Sequence, residues 1–99
     1  MAKKSAIPNP LERRYLAEGR AWEAIVFLVK AGARDRLAAL REDAVTAGDF
    51  FLVRELTRAL GDEIPAARWR ATSEAAAAAG KERYAASAHR MAERAEGRS

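Results

Sequence analysis

The segment RAWEAIVFLVKAG, residues 20–32, decides the fold because it is apolar on almost every side. An α-helix without a polar face lies buried between its neighbours. A β-strand is the alternative for the central AIVFLV, since β-branched side chains favour sheets. Helix is the better interpretation, because the flanks are good helix formers, Gly32 is a natural residue to follow a helix, and no second β-rich run could pair with it. We expect this helix at the centre of the molecule, covered from both sides.

Glycines at positions 19, 48 and 80 divide the rest of the chain into helical hairpins. Each is followed by a charged residue and a helix with an aromatic side chain, as in G-RAW, G-DFF and G-KERY. Apolar residues recur at helical spacing in the flanking segments, and short connections place successive helices antiparallel. The sequence therefore predicts an all-α fold of six helices in three antiparallel hairpins, stacked as a short repeat array or a compact bundle.

Residues that cap or break helices mark the predicted boundaries. Asn9 and Pro10 begin the first helix, as N-cap and first helical residue. Asp49 is the predicted N-cap of the fourth helix, and Pro65 is the predicted first residue of the fifth. The domain organisation that follows is a flexible N-terminal segment, one helical domain and a frayed tail: residues 1–9, 10–96 and 97–99.

The composition excludes several classes of protein. The chain has no cysteine, so disulfides, zinc–thiolate sites and iron–sulfur clusters are excluded. The N-terminal lysines are not followed by an apolar run, and the longest such run, residues 24–29, is too short to cross a bilayer. We expect a cytoplasmic protein with no membrane insertion. The 14 arginines against 4 lysines, with abundant alanine, indicate a GC-rich bacterial source.

The net charge of +4 raises nucleic acid as a partner. Its distribution argues against a basic arm, because residues 1–50 and residues 51–99 each carry 9 basic and 7 acidic side chains. Charges of both signs alternate along the predicted helices, which is typical of a solvated surface.

The hairpin pattern resembles tetratricopeptide repeats, which are helical pairs with small residues at defined positions and a glycine in the turn. The stretch LERRYLAEGRAWEAIVFLVKA, residues 11–31, matches best. It supplies the packing positions of the first helix, the turn glycine and the small–large–small stripe of the second helix: Leu11, Tyr15, Gly19, Ala24, Leu28 and Ala31. Gly48-Asp49-Phe50 matches the turn of the second pair, and Trp69 the aromatic of the third. The resemblance implies an interaction module.

Two other architectures fit the same residues. The glycine spacings are 29 and 32 residues, whereas the tetratricopeptide family repeats every 34. Ankyrin repeats match GDFFLVRELTRALG and FLVKAGARD, but their long turns and T-P-L-H element are missing. A compact six-helix bundle without true repeats is the third possibility.

No residue pattern predicts catalysis, a cofactor or a metal site. Phosphate-binding glycine loops, H-E-x-x-H and G-x-S-x-G are all missing. The single histidine, His89, is predicted on the inner side of the sixth helix, with a packing or surface role rather than a catalytic one. Glu42 and Asp43 are consecutive on a helix and point about 100° apart, so they do not converge. We predict that the protein is not an enzyme and has no cofactor.

The candidate partner-binding residues are aromatic and basic. Arg68-Trp69-Arg70 could bind nucleic acid, because aromatic faces stack on bases and arginines contact phosphates. The favoured interpretation is that Trp69 lies in the core and its neighbours drape their stems over it. Phe50 and Phe51 are adjacent and cannot share one helix face, so at least one is expected to be exposed as an interface anchor. The full candidate set is Phe50, Phe51, Arg68, Trp69, Arg70 and Tyr84.

The function that the sequence favours is protein–protein interaction, by a small adaptor, scaffold subunit or chaperone-like module that binds a partner protein or peptide on its helical surface. The alternative is nucleic-acid binding through an arginine-lined face. Residues 66–95 are alanine-rich and have few large side chains to bury, so we expect them to be the least stable part of the chain. A partner, or a second copy through a homo-oligomer, would then cover this C-terminal hairpin.

Overall fold

A computed structural model describes residues 21–97, and all of its regular structure there is helical. Within these residues the chain forms five helices and no strand. Their bounds, in chain order, are α1 Ala21–Lys30, α2 Arg34–Ala47, α3 Phe50–Leu60, α4 Ala66–Ala78 and α5 Glu82–Gly97. The all-α prediction is confirmed for this part of the chain. The helix predicted to begin at Pro10, which would be the first half of the first hairpin, lies outside the described residues, as does the turn at Gly19.

The helix ends lie where capping chemistry places them. Asp49 caps α3, because its carboxylate accepts a hydrogen bond from the Leu52 backbone N–H at 3.1 Å. Gly48 and Gly61 end α2 and α3 with φ angles of 72° and 71°, in the left-handed region that favours glycine. Pro65 is the N-cap of α4 rather than its first helical residue, since its ψ of 157° is extended. The helix therefore starts one residue later than predicted.

Gly48 also lets two helical pairs approach closely. A Cβ atom on this glycine would lie 2.4 Å from the backbone nitrogen of Ala76 and 2.7 Å from the carbonyl carbon of Ala75. No L-amino acid side chain fits in that space. The turn between α2 and α3 thus packs directly on the backbone of α4.

The buried apolar side chains form two clusters. The first lies among α1, α2 and α3 and consists of Ile25, Leu28, Leu37, Leu56 and Leu60. The second lies where α2 and α3 meet α4 and α5, and consists of Ala44, Val45, Val53, Ile64, Trp69, Ala88 and Ala92. Leu52 of α3 packs against both. The two clusters therefore share α2 and α3, which both contribute buried residues to each.

The predicted central position of α1 is only half right. The segment is a helix, and Ile25 and Leu28 are 2% and 1% exposed. Trp22 and Val29, however, are 55% and 48% exposed, so the expectation of burial on every side is wrong. The physical reason is that, among the described helices, α1 packs against α2 and α3 through one face.

The α4–α5 pair is held together by small residues. Ala76, Ala88 and Ala92 are almost completely buried, and such short side chains let the two backbones approach closely. The Ser73 hydroxyl donates a hydrogen bond across the pair to the Ala85 carbonyl at 2.8 Å. Close approach and a side-chain hydrogen bond therefore replace the large apolar side chains that this pair lacks.

Candidate functional site

Three of the sequence-predicted binding residues meet in one aromatic cluster. The ring of Phe50 lies 5.7 Å from that of Trp69 and 6.2 Å from that of Tyr84, measured between centroids, and both pairs are tilted. Trp69 is 4% exposed, so its ring belongs to the core, as the favoured interpretation predicted. This cluster joins α3, α4 and α5 and is mainly structural.

Phe51 stands apart from that cluster. It is 40% exposed, as expected for one of two adjacent phenylalanines on a helix. The Arg54 guanidinium carbon lies 5.7 Å from the Phe51 ring centroid and 5.5 Å from that of Phe50. Arg54 thus interacts with both rings by cation–π contacts.

Arg68 and Arg70 do not converge on Trp69. Arg68 forms an ion pair with Glu42 of α2, and Arg70 forms one with Glu96 of α5. Their guanidinium groups are therefore directed to different neighbouring helices. A site in which both arginines flank an exposed indole is not formed, because the indole is buried and the arginines diverge.

Four other arginines do converge, in a groove between α3 and α5 that we call the arginine groove. It has a volume of about 420 Å³. Arg54 and Arg58 line it from α3, and Arg90 and Arg94 line it from α5. The remaining lining residues are Phe50, Thr57, Trp69, Ser87 and Met91. None of these described residues carries a carboxylate, so the four guanidinium groups are the only charged groups among them.

The two sides of the arginine groove differ in their internal partners. Glu55, which is 9% exposed, accepts hydrogen bonds from Arg54 Nε at 3.3 Å and from an Arg58 guanidinium nitrogen at 3.4 Å. On the α5 side, Arg90 donates to the Ser87 hydroxyl at 3.2 Å, and Arg94 lies 4.0 Å from the Met91 sulfur. Among the described residues, no salt bridge involves either of these two arginines. Within the described residues, the two guanidinium groups on α3 are thus paired with a carboxylate, whereas the two on α5 are not.

An apolar depression adjoins the arginine groove. It has a volume of about 480 Å³ and shares Thr57, Trp69 and Met91 with the groove. Its other lining residues come from the α3–α4 loop, from the start of α4 and from the end of α5: Glu63, Ile64, Pro65, Ala66 and Ala95. The two cavities thus lie side by side along α5, and we call them together the track.

A bidentate ion pair holds the loop that walls this depression. Arg41 of α2 donates hydrogen bonds to the two carboxylate oxygens of Asp62 at 2.6 and 3.0 Å, and to the Thr57 hydroxyl at 3.2 Å. The hydrogen bond from Arg41 lowers the pKa of Asp62 below its ordinary value of 3.8. Asp62 therefore carries its charge down to more acid pH and keeps the residues that follow it in place.

A third groove lies between α3 and α1 and shares Arg58 with the arginine groove. It has a volume of about 400 Å³, and its wall is mostly apolar. Trp22, Val26 and Val29 line it from α1, and Glu55 and Ala59 line it from α3. The exposed faces of Trp22 and Val29 thus form an apolar strip beside residue 21, where the described part of the chain begins.

The single histidine among residues 21–97 lies on the surface of α5. His89 is on the outer side of α5 rather than the inner side, with 63% of its side chain exposed, and lies 3.1 Å from Glu93. The prediction of its inner position was wrong because the helix turns Ala88 and Ala92 inward instead. Within the same residues there is no group of three His, Cys, Asp or Glu side chains that could hold a metal. Nor is any helix there long and apolar enough to span a bilayer.

Sequence reasoning missed the arginine groove, although a signal for it exists. Arg54 and Arg58 are four residues apart on α3, and Arg90 and Arg94 are four apart on α5. Each pair lies on one helix face. The alternation of charges along the predicted helices gave no indication of the groove, because the sequence does not say that the two faces point toward each other.

Comparison of the chain with known proteins gave no match to a family model, to a curated protein or to a solved structure. The resemblance to tetratricopeptide repeats therefore stays a prediction, and any statement about function depends on the geometry of the grooves.

Proposed function

We propose that this chain is a non-catalytic protein-interaction module, an adaptor, scaffold subunit or chaperone-like protein, that binds a partner protein at the arginine groove. One observation carries the proposal: four arginines from two helices converge on a groove with an apolar floor and no carboxylate among its described lining residues. Arginine and aromatic side chains are the residue types most enriched at protein interfaces. A concave, positively charged surface favours a partner of opposite charge.

The arginine groove is a better candidate than the other surfaces. The α1–α3 groove carries charges of both signs, since Lys30, Arg58 and Glu55 all line it, so it offers no charge of one sign for a partner to match. Self-association through the alanine-rich hairpin has less support, because Ala76, Ala88 and Ala92 are already buried within the chain.

Nucleic-acid binding, the alternative, draws support from the same four arginines. Two observations weigh against it. Trp69 is only 4% exposed and Phe50 packs against two other rings, so neither offers a free face for stacking bases. Arg68 and Arg70 are engaged with Glu42 and Glu96, so the basic surface does not extend along α4.

Photo-cross-linking in the native cell tests the proposal. A photoreactive amino acid is placed at Ser87, which lines the groove, and in a control protein at Thr46, which is exposed on α2. We expect protein cross-links from Ser87 that are resistant to nucleases and are not seen from Thr46. The double variant Arg90→Gln/Arg94→Gln should remove them, because it deletes half of the guanidinium groups.

The matched control is Arg68→Gln/Arg70→Gln, which removes the same charge from outside the groove and should leave the cross-links in place. Cross-links that disappear on nuclease treatment would favour the nucleic-acid alternative. Equal cross-linking from Ser87 and Thr46 would overturn the proposal.

A further inference from the structure

The shape of the track limits what can lie in it. The arginine groove and the apolar depression meet at Thr57, Trp69 and Met91, with volumes of about 420 and 480 Å³. A ligand bound to the arginines can therefore continue into the depression without leaving the surface. An extended peptide has this form, with side chains that reach successive parts of one track.

The arginine end requires negative charge. Arg90 and Arg94 contact Ser87 and Met91 but form no salt bridge within residues 21–97. Guanidinium groups bind carboxylates through paired, charge-assisted hydrogen bonds. Acidic side chains are thus the natural complement of this end.

The other end requires an apolar side chain. Ile64, Pro65 and Ala95 line the depression, together with Met91, whose flexible thioether adapts to different shapes. Apart from Glu63 and Thr57, the described lining residues of the depression are apolar or aromatic. The track thus changes from basic to apolar along its length.

A single-stranded nucleic acid fits this pattern poorly. Its phosphates are evenly spaced, so it would place charge in the apolar depression as well as beside the arginines. Its bases need exposed aromatic faces, whereas Trp69 is buried and Phe50 packs against other rings.

We propose that the ligand of this track is an acidic peptide segment followed by an apolar residue, with its carboxylates in the arginine groove and its apolar side chain in the depression. This inference rests on the proposed function and specifies the chemistry of its partner. It also assigns separate roles to the two ends of the track, so the two roles can be tested independently.

Fluorescence anisotropy with labelled peptides tests it. The probe is a peptide in which a run of glutamates is followed by leucine, and the comparison peptides replace either the leucine by serine or the glutamates by glutamines. We expect serine to weaken binding about tenfold, which corresponds to part of the burial of one leucine. Glutamine should weaken it about tenfold or more, because charge-assisted hydrogen bonds are lost.

Variants of the protein test whether the carboxylates of the peptide bind in the arginine groove. Arg90→Gln/Arg94→Gln should weaken binding of the glutamate peptide about tenfold or more. The same variant should bind the glutamine peptide as wild type does, because the interacting charge is then missing on both sides. The control Arg68→Gln/Arg70→Gln should change binding by less than about threefold. Thermal melting establishes that each variant is folded.

Three results would overturn the inference: equal weakening by the two arginine pairs, equal binding of the serine and leucine peptides, or tighter binding of a single-stranded oligonucleotide at the same salt concentration. If none of the peptides binds but the protein cross-links from Ser87 are still formed, this ligand chemistry is rejected and the proposed function stands. If the peptides do not bind and the cross-links are also missing, both the ligand chemistry and the proposed function are rejected.

Discussion

The α1–α3 region and the α4–α5 pair reach a buried interior by different means. In the first, Leu28 and Leu56 are 1% and 0% exposed and fill the space between helices with large side chains. In the second, Ala88 and Ala92 are 0% and 2% exposed, and the space is closed because the helices approach each other. Burying a large apolar side chain stabilises the fold more than burying a small one. Small side chains fill the interior only where the two backbones lie close together.

This difference determines which substitutions each region tolerates. A core of large side chains tolerates an exchange of similar volume, because neighbouring rotamers can adjust. Contacts between backbones cannot adjust, since any added atom must separate the helices. The place where the two regions meet, at Gly48 and Ala76, is of the second kind.

The largest expected effect is that of Gly48→Ala, which should break the contact between the regions. The new methyl group would overlap the Ala76 backbone, and alanine is strained at a φ of 72°. We expect a loss of about 2–5 kcal/mol in the free energy of unfolding, from strain and overpacking together. Urea denaturation measures it.

Gly61→Ala is the matched control, because Gly61 has a φ of 71° but nothing within 4 Å of an added Cβ. This substitution should lower the free energy of unfolding by only about 1–2 kcal/mol. Equal losses for the two variants would mean that the close approach at Gly48 contributes nothing to stability.

A smaller effect distinguishes the two regions directly. Residues 66–95 bury few large side chains, so we expect their amide hydrogens to exchange through openings about 1 kcal/mol less costly than those in α3. Native-state hydrogen exchange on the dilute monomer measures this difference. Equal protection in α3 and α5 would show that close packing of alanines stabilises a helix pair as well as leucines do.

The smallest effect concerns the loop between the regions. Asp62 has a lowered pKa in the folded protein, so its ion pair with Arg41 stabilises the fold above the ordinary pKa of 3.8. This contribution is lost as the pH falls through the lower, folded value. Because the Asp62 side chain is 41% exposed, we expect Asp62→Asn to cost less than about 1 kcal/mol at neutral pH.

The same substitution should have no effect at a pH well below the folded pKa, where Asp62 is protonated in both states. In an Arg41→Gln background, where the bidentate partner is missing, Asp62→Asn should cause no further decrease in the free energy of unfolding. A pH-independent loss would assign the effect of Asp62→Asn to something other than its charge.

The sequence alone predicted the local structure of the described residues well. Asp49 and Gly61 bound α3 as expected, because capping and positive-φ turns depend on residues adjacent in the chain. The helical nature of residues 21–30 followed from good helix formers and the lack of any strand partner. Trp69 was correctly interpreted as a core residue.

Only the tertiary structure decided which helix faces meet. It brought Arg54 and Arg58 opposite Arg90 and Arg94, it left Trp22 exposed, and it turned His89 outward. Helix periodicity states which residues share a face, but the rotation of one helix against another depends on packing between segments far apart in the chain. The caps are local and can be read from neighbouring residues, whereas a groove belongs to two helices at once.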